Sequence, residues 1–251
     1  MEAKKAIEIV TAAGEILLSN GAEAYRVEET ITKICNSYGL RGECISTSTG
    51  LFISVVAADG EMVTSVKRIK VRLVDLYKIE LVNSFSRGLI NKPVSYEEAK
   101  KILKEINNAP NYKLGVRLMA ACMTSFIYTL FFNGTIFDAL TSAIISIGIY
   151  LMLEKISEVG FFQFLEYYLS GFIIGIVSFT VEILIPAINK DNVITGSIIV
   201  LLPGVALTNG IKDLLYGDFV SGTAKFGEAM LIIIAMSFGI GTALSLFLKW
   251  M

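Results

Sequence analysis

The chain has 251 residues, 54% of them hydrophobic, 18% charged and none histidine, with a formal net charge of -1. That composition excludes a disordered chain, leaves a nucleic-acid binder without a basic footprint, and removes histidine-activated nucleophiles and histidine-ligated metals. Three scattered cysteines, Cys35, Cys44 and Cys122, lack CxxC spacing and indicate neither a zinc site nor a disulfide framework.

The N-terminal stretch does not read as a secretory signal, because Glu8 and Glu15 interrupt it after Lys4-Lys5. It predicts a helix. Ala6, Ile9, Val10, Ala13, Ile16 and Leu17 recur at helical spacing, and Ser19-Asn20-Gly21 supplies a stop. A second helix opens near residues 22–23, carries Val27, Ile31 and Ile34 on one face, and ends at Tyr38-Gly39. Segments 44–48, 51–57 and 62–69 are rich in β-branched residues and are separated by Thr49-Gly50 and Asp59-Gly60. They predict a β-meander, with Asp59-Gly60 as a two-residue primed turn. A third helix over 71–89 presents Leu73, Leu76, Ile79, Val82 and Phe85, and Asn91-Lys92-Pro93 closes it. Ser95 and Glu98 form a capping box that opens a fourth helix to about Asn107. Residues 1–110 thus read as an α+β domain with enough chain for its own core.

Charge is unevenly placed: residues 1–113 hold 16 Lys or Arg and 14 Asp or Glu, whereas 114–251 hold 6 and 9. The two halves are built for different solvents. Five apolar segments follow Pro110, at about 114–132, 137–153, 161–185, 193–208 and 229–248. A helix needs about 20 residues to cross a bilayer core, so the second is marginal and the fourth short, and Pro203-Gly204 weakens the fourth further. The fold class expected is a membrane protein in which a cytoplasmic α+β domain, 1–110, precedes a five-helix transmembrane bundle, 111–251. Lys113, Arg117, Lys155, Lys212 and Lys225 lie on one side of the spans, and Lys190 and Lys249 on the other. The positive-inside bias places the N-terminal domain in the cytoplasm and the C-terminus outside. Gly171 and Gly175, four apart in the third span, permit close helix packing.

The densest polar signal runs from Pro203-Gly204 through Thr208-Asn209-Gly210 and Asp213 to Asp218, Ser221 and Glu228. A broken helix frees backbone groups at membrane depth, and transporters use such breaks as substrate sites. The same stretch, 208–221, also reads as a hydrophilic loop after a proline-terminated helix. Ionisable residues inside spans are functional candidates because they are costly there. Glu182 is foremost, either as a proton- or substrate-linked carboxylate or as an interfacial group near Pro186. Glu166 lies near the start of the same span, while Asp138 and Glu228 sit where a helix dipole favours a carboxylate. In the N-terminal domain Arg26, Glu28 and the 46–49 segment concentrate polarity, as a solvated face also would.

Leu17-Leu18-Ser19-Asn20-Gly21-Ala22 running into Arg26-Val27-Glu28, then Thr49-Gly50, Asn83, Arg87, Ser95, Glu98-Ala99 and Leu103, resembles the N-terminal signature of the threonine/serine exporter family. Pro203-Gly204, Thr208-Asn209-Gly210, Asp213, Gly217-Asp218, Ser221-Gly222 and Glu228-Ala229 resemble its membrane signature. Single-chain members carry twice the five spans counted here, so the resemblance implies the larger subunit of the split, two-component form, whose relatives are linked to dicarboxylate (succinate) export. It implies a proton-coupled secondary exporter of threonine, serine or dicarboxylates in the bacterial plasma (inner) membrane, without cofactor or metal. The partner it implies is a small five-span membrane subunit, or a second copy of the chain. An odd number of spans would insert a second copy inverted, as many transporters require. Thr208 and Asn209, with backbone at Gly204 and Gly210, would then bind solute, and Asp213, Asp218 and Glu228 would line the cytoplasmic mouth. A membrane-anchored ligand sensor and a membrane-tethered hydrolase using the N-terminal domain are the alternatives; the hydrolase lacks a histidine to work with.

Overall fold

The computed structural model describes residues 1–70, 73–159 and 162–250. Its elements are α1 (Ala3–Ser19), α2 (Ala24–Ser37), β1 (Arg41–Thr47), β2 (Gly50–Val56), β3 (Met62–Arg68), α3 (Leu76–Asn91), α4 (Tyr96–Asn107), α5 (Leu114–Phe131), α6 (Ile136–Val159) and α7 (Gln163–Leu184). Then come α8 (Lys190–Ile198), a 3-10 turn (Ile199–Leu201), α9 (Gly204–Leu215) and α10 (Phe219–Trp250). The chain divides into two compact units, Met1–Pro110 with Gly204–Glu228, and Asn111–Pro203 with Ala229–Met251. Residues 204–228 thus group with the N-terminal residues and not with the rest of the helical half.

In the first unit α1 buries Ala6, Ile9, Val10, Ala13, Ile16 and Leu17, the face its spacing predicts. The helix ends in a Schellman motif. Gly21 takes φ +88, its N–H reaches Leu18 O at 3.3 Å, and Ala22 N–H reaches Leu17 O at 3.0 Å. The sheet is an antiparallel meander in the order β1-β2-β3. Leu51, Ile53 and Val55 face inward onto α1, while the register Ile45–Phe52–Val66 puts an apolar row on the outer face.

Two local expectations change. The turn at Asp59-Gly60 is a three-residue loop, 58–60, closed by Ala57 N–H to Glu61 O at 2.9 Å. Only Gly60 has positive φ there, +89, so the loop takes the wider turn rather than a primed one. The third helix begins at Leu76, because the Asp75 carboxylate caps it by accepting from Tyr77 N (3.0 Å) and Lys78 N (3.2 Å); residues 71–72, where the expected start falls, lie outside the described residues. In α4, Ser95 Oγ accepts from Glu98 N at 3.3 Å, the first half of the capping box.

The second unit is helical. Among the described residues four helices are long and apolar enough to cross a membrane, or up to five if the pair broken at Leu202-Pro203 forms one span. Phe161 and Leu248, expected span ends, lie outside the residues described here with side chains. The expected fourth span, 193–208, is not one helix. Leu202, which precedes a proline, is forced to extended backbone (φ -62, ψ 129), and Pro203 has no N–H to continue the ladder. Beyond the break, the stretch that also read as a loop is helical in α9, and α10 starts at Phe219, ten residues before the expected 229.

Within this unit α8 packs on α5, α6 and α7. The remainder of α10 lies on α7 through small residues. A methyl at Gly171 would enter the Met236 carbonyl, one at Gly239 the Tyr168 carbonyl, and one at Gly175 would sit 2.6 Å from the Ala243 methyl. Tyr168 OH donates to Thr242 Oγ1 at 3.2 Å, and the Phe179 and Phe247 rings stack at 5.0 Å.

Candidate functional site

In the first unit the turn between α1 and α2 is gripped by α9 and the start of α10. Asn209, nearly buried, donates from Nδ2 to Gly21 O at 2.7 Å. Asp213, with no solvent exposure, accepts from Ala24 N at 3.0 Å, from Ser221 Oγ at 3.2 Å and from Lys225 Nζ at 2.8 Å. The first of these places a carboxylate on the free amides at the start of α2, where the helix dipole favours it. Lys225 Nζ also donates to Ala22 O at 3.0 Å. Lys212 pairs with Glu23 at 3.0 Å, Arg26 approaches the same carboxylate at 3.6 Å, and Tyr25 stacks on Tyr216 with ring centroids 4.0 Å apart.

Two glycines make the grip possible. A methyl on Gly210 would lie 2.9 Å from Phe226 N, and one on Gly222 2.9 Å from Gly210 O, so α9 and α10 touch backbone to backbone. That approach lets Asp213 reach Ser221 and Lys225.

Glu28 extends the cluster to the sheet, accepting from Ser46 N at 2.7 Å. Its carboxyl is pushed up by burial and by the charges of Asp218 and Asp213, against the hydrogen bonds from Ser46. Asp218 is likewise raised, by burial and then by Asp213, with Lys225 opposing. For Glu23, burial is outweighed by hydrogen bonds and by Lys212 and Arg26, and its carboxyl lies below the usual range. A carboxyl raised in the folded state costs stability once ionised, so stability should increase as pH falls from neutral through the raised Glu28 and Asp218 values, until Glu23 protonates at more acid pH. Glu28→Gln, which keeps an acceptor for Ser46, is expected to raise the neutral-pH melting midpoint and flatten its pH dependence, as thermal scans from pH 5 to 8 would read.

The other sequence candidates fall elsewhere. Thr208 is exposed and its hydroxyl returns to Gly204 O (2.9 Å) and Val205 O (3.1 Å) of its own helix. Glu228 is half-buried. Thr49 and Gly50 form the β1–β2 hairpin tip, where Thr49 O accepts from Ile69 N at 2.9 Å. In the second unit Glu182 is paired with Lys190 at 2.9 Å. Glu166 lies in the first turn of α7.

A second polar concentration lies inside the second unit. Asp138, fully buried, accepts from Thr135 N (2.8 Å), Asn189 N (2.8 Å) and Asn192 Nδ2 (3.2 Å), tying the start of α6 to the loop before α8. Ser125 Oγ donates to Gly196 O at 3.0 Å, and Thr129 Oγ1 and Ser142 Oγ are 2.6 Å apart. The hydroxyls of Ser146, Ser178 and Ser197, on α6, α7 and α8, are buried without a hydrogen-bond partner among the described residues. Such groups cost about 1–3 kcal/mol each unless water or a solute satisfies them. Near the start of α5, Arg117 makes a two-point ion pair with Glu154, Nη1 to Oε2 at 2.9 Å and Nη2 to Oε1 at 2.7 Å. None of these hydroxyls stands out in the sequence as a polar concentration. Their signal was the four-residue spacing of Ser125/Thr129 and Ser142/Ser146, which puts each pair on one helix face.

No group of three or more His, Cys, Asp or Glu that could hold a metal occurs among the described residues. Burial pushes the Cys35 thiol up to about 11 and the Cys44 thiol up to about 12, away from thiolate chemistry.

Residues 8–247 match the family model ThrE, "Putative threonine/serine exporter". The chain is 21% identical over 234 residues to "Probable succinate transporter subunit YjjP" of Klebsiella aerogenes, covering 92% of this chain and 89% of that protein. It is 20% identical to "Probable threonine/serine exporter" of Mycobacterium tuberculosis, over 96% of this chain and 46% of that one, and 23% identical to "Threonine/serine exporter" of Corynebacterium glutamicum, over 93% and 49%. The chain therefore spans about half the length of the two exporters. No solved structure matches it. With a match across nearly its whole length, and with several helices able to cross a membrane, the chain belongs to the threonine/serine exporter family, a family of membrane transporters rather than enzymes.

Proposed function

We propose that the chain is one subunit of a secondary exporter that moves small polar metabolites, threonine and serine or dicarboxylates, out of the cytoplasm at the expense of the proton gradient. The observation that carries this reading is the set of buried hydroxyls, Ser146, Ser178 and Ser197, that have no hydrogen-bond partner among the described residues and lie on three neighbouring helices of the second unit. Polar groups are kept inside a membrane domain, at a cost, where a polar solute or water must pass. Family membership sets the class of activity, and the relatives' names bracket the solutes.

In this reading the fourth crossing is discontinuous at Leu202-Pro203, and Pro203, Gly204 and Thr208 stand at the break. Asn209, Gly210, Asp213 and Ser221 hold α9 and the start of α10 to the α1–α2 turn, with Asp218 and Glu228 nearby in sequence. Five crossings leave the first unit in the cytoplasm and the C-terminus outside, and a small five-span subunit, or a second copy, supplies the inverted half. The test is export from cells lacking the chain, complemented by wild type, Ser146→Val or Ser197→Val. About tenfold slower export at unchanged membrane levels is expected for each variant. Export at the wild-type rate in both would remove the hydroxyls from the pathway.

A further inference from the structure

The first unit holds a cleft that the exporter reading does not use. It has a volume of about 600 Å³ and lies between α1, β3 and α4, within the size range of small-molecule sites. One wall is a single face of α1, where Glu8, Thr11 and Glu15 recur three to four residues apart. Lys67 of β3 and Lys100 and Lys104 of α4 form the others.

The charges in this cleft are incompletely matched. Glu15 pairs with Lys67 at 2.9 Å and Glu8 with Lys100 at 3.6 Å, and the Tyr96 hydroxyl donates to Glu8. Lys104 has no ion-pair partner among the described residues, and the Thr11 hydroxyl is buried at the cleft wall without one. The lining carries one cation more than anions together with one unused hydroxyl. A ligand that completes it brings a carboxylate for the lysines and a polar group for Thr11, and an ammonium on the same ligand could be received by Glu8 or Glu15.

We propose that this cleft binds a small carboxylate-bearing metabolite, a hydroxy amino acid or a dicarboxylate, and so acts as a solute-sensing site in the first unit. The choice among carboxylates rests on the proposed function; the existence of the site rests on the cleft alone. Partly exposed lysine contacts give weak binding, in the millimolar range of abundant metabolites.

The experiment is hydrogen exchange on the full chain in lipid nanodiscs with about 10 mM L-threonine, L-serine or succinate, and with ethanolamine or glycerol as probes lacking a carboxylate. At least one carboxylate should slow exchange about twofold or more in peptides covering 7–16 and 96–107, and neither control should. Thr11→Val, which preserves shape, and Lys104→Glu, at the surface, should each raise the half-saturating concentration about fivefold or more. Absence of protection by all three carboxylates, or protection unchanged in both variants, overturns the site. Solute flux in proteoliposomes that hold the chain together with a small five-span membrane subunit separates the two readings: flux there without protection in the nanodiscs overturns the cleft alone, and protection without flux of any solute overturns the exporter and leaves the cleft standing.

Discussion

Asp213→Ala is expected to destabilise the first unit by about 3–5 kcal/mol. The side chain has no solvent exposure and satisfies three donors at once, Ala24 N, Ser221 Oγ and Lys225 Nζ. Removing it strands a helix-terminal amide and an ammonium whose side chain is 13% exposed. The cost comes mostly from the abandoned lysine, so Asp213→Ala with Lys225→Met should be less destabilised than Asp213→Ala alone. Thermal unfolding in detergent, with limited proteolysis across 204–228, reads both variants. A single mutant that melts as wild type would show that Asp213 does not hold the α1–α2 turn, and loss of export in such a stable variant would assign it to the solute path instead.

Gly171→Ala and Gly239→Ala are expected to cost about 3 kcal/mol each, at the upper end for overpacking, or to abolish accumulation of folded protein. At both positions the added methyl meets backbone carbonyl, Met236 O or Tyr168 O, which cannot rotate aside as a side chain would. Helices α7 and α10 would have to separate, losing the Tyr168–Thr242 hydrogen bond and the Phe179–Phe247 stack. Gly148, in α6, has nothing within 4 Å of the same added atom, so Gly148→Ala is the control and should leave the melting midpoint unchanged or raise it. Equal effects at Gly148 and Gly171 would mean that close backbone packing between α7 and α10 does not set the cost.

The first 110 residues were largely legible because their signals are local: helical spacing in α1 and α2, alternation in the strands, Asn20-Gly21 at a helix stop and Ser95 at a helix start. Residues 209–228 were less so. Their glycines and charges resemble loop composition, whereas Gly210 and Gly222 permit helix contact and Asp213, Lys212 and Lys225 turn to residues 22–24. Those partners are about 190 residues away in sequence, and no local pattern announces them. Asn209, Gly210, Asp213 and Ser221 stood out from the sequence as a series; that they converge on a backbone turn was visible only in three dimensions. The hydroxyls of the second unit escaped for a different reason. Ser and Thr barely alter the hydropathy of a span, so Ser142 and Ser146 leave α6 apolar on average while placing polar groups in its buried face.

The most direct test is solute efflux from proteoliposomes containing the full chain, alone and together with a small five-span membrane subunit, with and without an imposed proton gradient. The account predicts gradient-dependent efflux of threonine, serine or succinate that requires the second subunit or a second copy of the chain, and that falls about tenfold in Ser146→Val. No efflux of any of the three under either composition, or efflux indifferent to the gradient, would contradict it.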